Sequence, residues 1–208
     1  HFHPAILNPV PGVQVLRAWD GWHHPSCVFF QRLTTGRVRV LDAVRGDNMG
    51  VAQMIPLLIR PLIAARYAGV TSWRDVGDES MRAGDQSNPA ESAARAVEEL
   101  LQTRFEGMPN PWELRLEAMR TIITQPMPDA EPMLMVSKSA DLLNDALAGG
   151  WHYPVNTAGV VGRLPVKNDE SHVGDAFAAG CQALVGVRLE QVIPTYSAKS
   201  RAMSYNGR

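Results

Sequence analysis

Three strand-like segments follow one another closely near the start of the chain, and their short connections restrict how it can fold. They are residues 13–20 (VQVLRAWD), 26–33 (SCVFFQRL) and 36–44 (GRVRVLDAV), all rich in β-branched or aromatic residues. The turn signal TTG leads from the second segment into the third. Because a parallel connection needs a crossover of about a dozen residues or more, links this short predict an antiparallel meander.

Helices and further strands follow the meander in a less regular order. Residues 48–69 have helical periodicity, and Pro56 and Pro61 should kink or divide this helix. A second helix is predicted over residues 88–107, with Asn88 as its cap and a glycine at its end. The other predicted elements are a strand at 70–78, a helix at 110–124, a strand at 132–137, a helix at 139–150, a hairpin at 151–166 and a helix at 170–186. This order predicts an α/β fold with a mixed sheet.

The composition narrows the class of protein. The chain has 208 residues, 45% hydrophobic and 20% charged, which is typical of one globular domain. Its apolar runs are far too short to span a bilayer, and no signal peptide opens it, so we expect no membrane partner and no secretion. The net charge of −1 means that a nucleic-acid partner would need a local basic patch. Cys27 and Cys181 lack CxxC spacing, which argues against zinc and favours a reducing compartment.

Three acids stand where strands or a helix would place them together. Asp20 ends the first predicted strand, Asp78 ends the fourth, and Asp175 lies in the first turns of the last helix. Crowded carboxylates repel one another unless a cation lies between them, and Mg²⁺ or Mn²⁺ prefers such oxygen ligands. His172 precedes Asp175 by one helical turn and shares its face.

Each of these residues also has an ordinary structural interpretation. Asp20 and Asp78 are equally compatible with turns or caps when taken singly. The acids and serine in NDES, Asp169, Glu170 and Ser171, are interpreted as capping groups that complement the helix dipole. The spacing alone therefore leaves both a metal site and simple capping open.

Several segments together resemble the C-terminal nuclease domain of the large terminase subunit of tailed bacteriophages. In chain order they are RAWDGWHHPSCVFFQ, VGDESMR, MPNPWELRLEAMRTII, MLMVSKSADLLNDALAGGWHYPV and LPVKNDESHVGDAF. The most specific is KNDESHVGDAF, which is similar to that family's Lys-Asn…Ser-His-x-x-Asp-Ala box. The resemblance extends over about residues 13–185.

The resemblance implies an RNase H-like fold and metal-dependent endonuclease activity. Asp20, Asp78 and Asp175 take the positions of the family's metal-binding acids, His172 can join them, and two Mg²⁺ or Mn²⁺ ions are expected. The hairpin that begins at residue 151 would lie near the cleft and limit DNA access. Basic residues beside these motifs are candidates for phosphate contacts; they are Lys167, Arg82 and Arg115.

Two departures from the family pattern concern the site itself. Gly21 follows the first acid directly, whereas the family has its glycine one position later. Glu79 stands where the second motif has proline, which adds a fourth acid. Asp75 remains a weaker rival to Asp78.

The resemblance also implies a longer protein. We interpret residues 1–12 as a linker from a missing N-terminal ATPase domain, residues 13–187 as the nuclease domain, and residues 188–208 as a C-terminal tail. The chain has no GxxxxGK[ST] loop, so no ATP is expected to bind to this fragment. The implied partners are double-stranded DNA, the ATPase domain, the portal and the small terminase subunit, in the cytoplasm of a bacterial host. The alternatives are a resolvase- or integrase-type RNase H-like nuclease and a non-catalytic DNA-binding or assembly module.

Overall fold

Six strands form one mixed sheet in the computed structural model, which describes residues 1–21, 23–84 and 92–186. In chain order they are β1 (Val15–Asp20), β2 (Ser26–Arg32), β3 (Val38–Arg45), β4 (Trp73–Asp78), β5 (Phe105–Met108) and β6 (Leu134–Val136). The spatial order is β5-β4-β1-β2-β3-β6. Strands β1, β2 and β3 pair antiparallel, whereas β4, β5 and β6 each join a neighbour in parallel. The predicted meander and mixed sheet are confirmed.

Helices cover both faces of this sheet. They are α1 (Val51–Met54), α2 (Arg60–Arg66), α3 (Ala93–Leu101), α4 (Trp112–Thr124), α5 (Asp141–Asp145) and α6 (Asp169–Val185). A π-helical turn at Ile55–Ile59 joins α1 to α2, and another at Ala146–Gly150 extends α5. Pro56 lies within the first of these turns and Pro61 in the first turn of α2, so the helix changes type at its prolines but is not divided, since it is continuous from Val51 to Arg66.

The predicted helix over residues 88–107 is wrong for its last six residues, 102–107. Within the described residues the helix covers only Ala93–Leu101 and is capped by Ser92, whose side chain accepts a hydrogen bond from the Arg95 backbone N–H (3.1 Å). Gln102 then adopts a left-handed conformation (φ 54°), and the chain turns back into β5. Parallel pairing with β4 overrides the local helical preference of this segment. The proposed cap at Asn88 lies outside the described residues.

Alternation along β1 sends its side chains to two separate cores. Leu16 and Ala18 face the core beneath α4, α5 and α6, whereas Val15 and Trp19 face the core beneath α1, α2 and α3. By the same two-residue period, Asp20 lies on the α6 side.

Helix α6 packs closely on the sheet because small residues face it. A Cβ atom on Gly180 would lie 2.4 Å from the Phe30 ring, and one on Gly174 would lie 2.4 Å from the Trp151 ring. Phe30 also stacks on Phe177, with ring centroids 5.8 Å apart. These contacts set the position of α6, and with it the position of the polar residues in its first turns.

Two segments outside the regular elements also pack on the domain. The His3 N–H donates to the Val136 carbonyl (2.8 Å), so the chain begins along the β6 edge, and further on Leu7 is buried and the Val10 N–H donates to Gln31 Oε1 (2.8 Å). Residues 151–166, predicted as a hairpin, form a turn with one antiparallel bridge, between Val155 and Val161. In the described part of the chain, no helix combines the length and apolarity that crossing a membrane requires.

Candidate active site

Asp20 and Asp78 lie side by side at one edge of the sheet. Strands β1 and β4 are parallel neighbours whose register pairs Trp19 with Gly77, so the next residue of each strand is one of these acids. Their side chains are 10% and 15% exposed. The sequence prediction that these two strand ends meet is therefore confirmed. In open α/β sheets, this carboxyl edge is where ligands bind.

Helix α6 brings the third acid to the same edge. Its first turn is closed by a reciprocal cap, in which the Ser171 N–H donates to Asn168 Oδ1 (3.0 Å) and the Asn168 N–H donates to Ser171 Oγ (3.2 Å). One turn later, His172 Nδ1 lies 2.8 Å from Asp20 Oδ2. Asp175 follows on the same helical face, with its side chain 14% exposed.

Asp20 and Asp175 interact electrostatically across this edge. Burial raises the pKa of the Asp175 carboxyl, and the negative charge of Asp20 raises it further, while Lys167 acts in the opposite direction. The hydrogen bond to Asp20 raises the pKa of His172 despite its partial burial. The cluster therefore favours added positive charge.

Asp78 is held differently from the other two acids. Burial acts to raise its pKa, but hydrogen bonds from Ser80 and the Arg115 guanidinium outweigh burial and hold the pKa below its ordinary value. The Ser80 backbone N–H donates to Asp78 Oδ1 (2.7 Å), and Arg115 Nη2 donates to Asp78 Oδ2. Asp78 is therefore ionised and fixed in orientation at neutral pH.

Each of the three acids is paired with a nitrogen group. The pairs are Asp20 with His172, Asp78 with Arg115 and Asp175 with Lys167. Within residues 1–21, 23–84 and 92–186, no group of three or more His, Cys, Asp or Glu side chains is arranged to hold a metal ion. Carboxylate oxygens are nevertheless ligands that Mg²⁺ and Mn²⁺ prefer. The three carboxylates suit a divalent cation by their chemistry, and such a cation would have to displace the 75% exposed Lys167 side chain from Asp175.

The other predicted basic residues lie in contrasting surroundings. Arg82 is 42% exposed, donates to the Phe105 carbonyl (2.5 Å), and lies 3.5 Å from the Glu79 carboxylate. Glu79, the extra acid, is itself 59% exposed, and its carboxylate fills the space that a side chain at Gly107 would need. Arg115, in contrast, is only 5% exposed and lies inside the domain.

Asp75 does not belong to the acid cluster. It is fully buried on the other face of the sheet, where Arg17 binds both of its oxygens (2.8 and 2.6 Å). Trp19 Nε1 (2.7 Å) and Thr103 Oγ1 (2.6 Å) donate to the same carboxylate. Asp75 is therefore a structural residue in this fold, and Asp78 is the β4 acid at the site.

The contact between Arg115 and Asp78 was not predicted from sequence. A signal for its burial exists, since Arg115 falls on the apolar face of α4 with Leu114, Ala118 and Ile122. Its partner stands 37 residues earlier in the chain, beyond the reach of local patterns.

The mixed six-stranded sheet of this order, flanked by helices, is the RNase H-like class of fold. No protein-family model and no curated protein sequence matches the chain, but solved structures do. The large terminase (g2p) nuclease domain of bacteriophage SPP1, determined with bound Mn, matches with a TM-score of 0.53 and 13% identity, over 80% of this chain and 84% of that one.

Two further structures extend the comparison. The nuclease domain of the P22 large terminase matches with a TM-score of 0.54 and 12% identity, over 90% of this chain and 89% of that one. The large terminase of a thermophilic bacteriophage matches with a TM-score of 0.60 and 13% identity, over 89% of this chain but only 43% of that one. The chain thus has the fold of large terminase nuclease domains, and the resemblance drawn from its sequence is confirmed at the level of the fold.

Proposed function

We propose that this chain is a metal-dependent endonuclease domain that cuts concatemeric viral double-stranded DNA, with little sequence preference, during genome packaging. The observation that carries the proposal is the meeting of Asp20, Asp78 and Asp175 at the carboxyl edge of a sheet with the terminase nuclease fold. Three acids from three elements are more than capping requires, since α6 is already capped by Asn168.

The three acids would hold the metal, with His172 as a further ligand. Two Mg²⁺ or Mn²⁺ ions bound there would activate a water molecule and stabilise the leaving 3′ oxygen of the cleaved strand. The chain itself contributes orientation, because Ser80 and Arg115 fix the Asp78 carboxylate before any metal binds. Lys167 supplies positive charge at Asp175 until a cation replaces it.

DNA would be held through its phosphates and not through base recognition. Lys167 is exposed beside the acids, and Arg82 lies at the end of the turn that follows Asp78. Log affinity falls as log salt concentration rises, and each phosphate contact should make that slope steeper by about 0.9. The Lys167→Ala and Arg82→Ala variants should each make the slope shallower by about 0.9, which is the effect of losing one phosphate contact. DNA binding that does not change between about 50 and 200 mM salt would contradict phosphate binding.

The activity test is cleavage of supercoiled plasmid with Mn²⁺, Mg²⁺ or EDTA. We expect nicked and linear products with the metals, none in EDTA, and a loss of about 100-fold or more in Asp20→Asn and Asp175→Asn. Asp141→Asn is the matched control, because Asp141 is an exposed acid at the start of α5, outside the cluster. Intact plasmid under every condition, from folded protein, would refute the proposal. A strong preference for branched junctions would instead favour a resolvase-type enzyme.

The larger context follows from the same comparison. Because the large terminase of the thermophilic bacteriophage is more than twice as long as its matched part, we propose that this domain works beside an ATPase domain, with the portal and small terminase subunit as partners, in the host cytoplasm. Residues 1–12 would then lead from the ATPase domain. The tail at residues 188–208 lies outside the described residues. Joining the ATPase domain should raise cleavage of linear concatemers above that of the isolated chain.

A further inference from the structure

Arg115 is a buried cation in contact with the acid cluster. It lies on the core-facing side of α4, between Leu114 and Ala118, and is 5% exposed. Its Nη2 donates to Asp78 Oδ2, and its positive charge partly opposes the rise that burial causes in the pKa of Asp175. A buried guanidinium is costly to desolvate, so its position between acids from β4 and α6 needs a structural or a chemical reason.

A second buried arginine shows what a purely structural pair looks like in this fold. Arg17 uses Nε and Nη2, which lie on one edge of the planar guanidinium, to bind both oxygens of Asp75. Both donors on that edge are therefore satisfied, and neither residue is more than 2% exposed.

Arg115 turns the same edge of its guanidinium toward Asp78, but only one of the two donors on that edge makes a hydrogen bond. The Ser80 N–H donates to Asp78 Oδ1, and Arg115 donates to Oδ2 alone, through Nη2. Its Nε is buried and has no hydrogen-bond partner among residues 1–21, 23–84 and 92–186. Since Nε and Nη2 share an edge, this spare N–H points to the side on which the Asp78 carboxylate lies.

A buried charged donor without a partner is rare in folded proteins and calls for an explanation. The acceptor that best suits a guanidinium beside a cluster of acids is a phosphate oxygen, because guanidinium donors match phosphate geometry and charge. In the structure the Asp78 carboxylate accepts from the Ser80 N–H and from Arg115 Nη2, and no hydrogen bond joins it to Arg115 Nε.

We propose that Arg115 is a catalytic residue whose Nε–H donates a hydrogen bond to a non-bridging oxygen of the phosphodiester being cleaved, while its Nη2 keeps Asp78 in place. The inference rests on the proposed nuclease function. In that reaction the water oxygen bonds to phosphorus, the P–O3′ bond breaks, and one hydrogen of the water ends on the 3′ oxygen. Negative charge accumulates on the non-bridging oxygens in the transition state, where a fixed donor stabilises it most.

The first test separates the charge of Arg115 from its second donor. Arg115→Lys keeps a cation for Asp78 but cannot donate from the Nε position, so we expect kcat to fall about 100-fold with KM and melting temperature little changed. Arg115→Ala should be at least as inactive, and added guanidinium at millimolar concentration should restore part of its turnover. Arg120→Lys and Arg120→Ala are the controls, since Arg120 is exposed on the same helix, and they should cleave like the wild type.

A second test uses the wild-type chain and needs no turnover. The Arg115 Nε–H resonance, assigned by its absence in Arg115→Lys, should shift downfield when duplex DNA is added with Ca²⁺ in place of a catalytic metal. An unchanged resonance in the DNA-bound protein, or Arg115→Lys activity equal to that of the wild type, would overturn the inference while leaving the nuclease proposal intact. A wild-type chain that cleaves no DNA with any metal would refute both.

Discussion

Asp75 and Asp78 stand three residues apart in β4, and neutralising each should have different consequences for stability and for cleavage. Asp75 receives four hydrogen bonds inside the core, two of them from Arg17. Asp75→Asn would leave the Arg17 charge buried without a counter-ion. Asp78→Asn affects a carboxylate at the sheet edge that is 15% exposed.

The size of the Asp75 effect follows from its burial. Removing one partner of a buried ion pair costs about 3–5 kcal/mol. For a chain of 208 residues, each kcal/mol lowers the melting temperature by about 2–4 °C. Asp75→Asn should therefore melt about 6–20 °C below the wild type, yet still cleave DNA at a temperature at which it remains folded.

Asp78→Asn should lose cleavage and should melt closer to the wild type than Asp75→Asn does, because Asp78 is partly exposed and Arg115 keeps the negative charge of Asp175 nearby. Circular dichroism melts and plasmid cleavage at about 20 °C, on the same preparations, measure both properties. Asp75→Asn that melts with the wild type, or a folded Asp75→Asn that is as inactive as Asp78→Asn, would refute the division between structural and catalytic acids. The double variant Arg17→Met, Asp75→Leu should recover much of the lost stability, because it removes both buried charges.

Two further predictions concern packing and charge. Gly180→Ala should destabilise the protein by about 1–3 kcal/mol, because the added Cβ would lie 2.4 Å from the Phe30 ring. Gly50→Ala is the control and should be tolerated, because an added Cβ there would have no atom within 4 Å. Urea titrations of the two variants test this prediction, and equal unfolding midpoints would contradict the packing of α6. The hydrogen bond from Arg74 holds the pKa of Glu106 below its ordinary value of 4.5. The ionised Glu106 therefore stabilises the folded protein above pH 4.5, and this stabilisation is lost as the pH falls through the lowered pKa. Between about pH 5 and pH 3, the melting temperature of Glu106→Gln should therefore fall less than that of the wild type. If the melting temperatures of the two proteins fall in parallel, the ion pair of Arg74 and Glu106 does not contribute to stability.

Local patterns predicted much of the fold, because they report on single elements. The β-branched segments and their short links identified the meander, and the capping signals identified the start of α6. The acids at the ends of β1 and β4 were predicted to meet because parallel neighbours end at the same edge. In each case, the determining interaction lies within one element or between elements that follow simple pairing rules.

The missed features depend on partners distant in the chain. Strand β5 (Phe105–Met108) has only four residues and continues a helical pattern, so only its pairing with β4 shows that it is a strand. Arg115 was predicted only as a candidate for phosphate contacts, and its burial follows from the apolar face of α4, which carries it into the core. Its partner Asp78 could be recognised only after β4 and α4 were placed together.

The central claim is that the acids of β1, β4 and α6 form a divalent cation site, and Mn²⁺ binding tests it most directly. Free Mn²⁺ gives a strong electron paramagnetic resonance signal that falls on binding, so a titration needs neither DNA nor turnover. We predict saturable binding to the wild type and to Asp141→Asn, and binding weakened at least tenfold in Asp20→Asn and Asp175→Asn. Equal Mn²⁺ affinity in all four proteins, or no binding to any, would contradict the account.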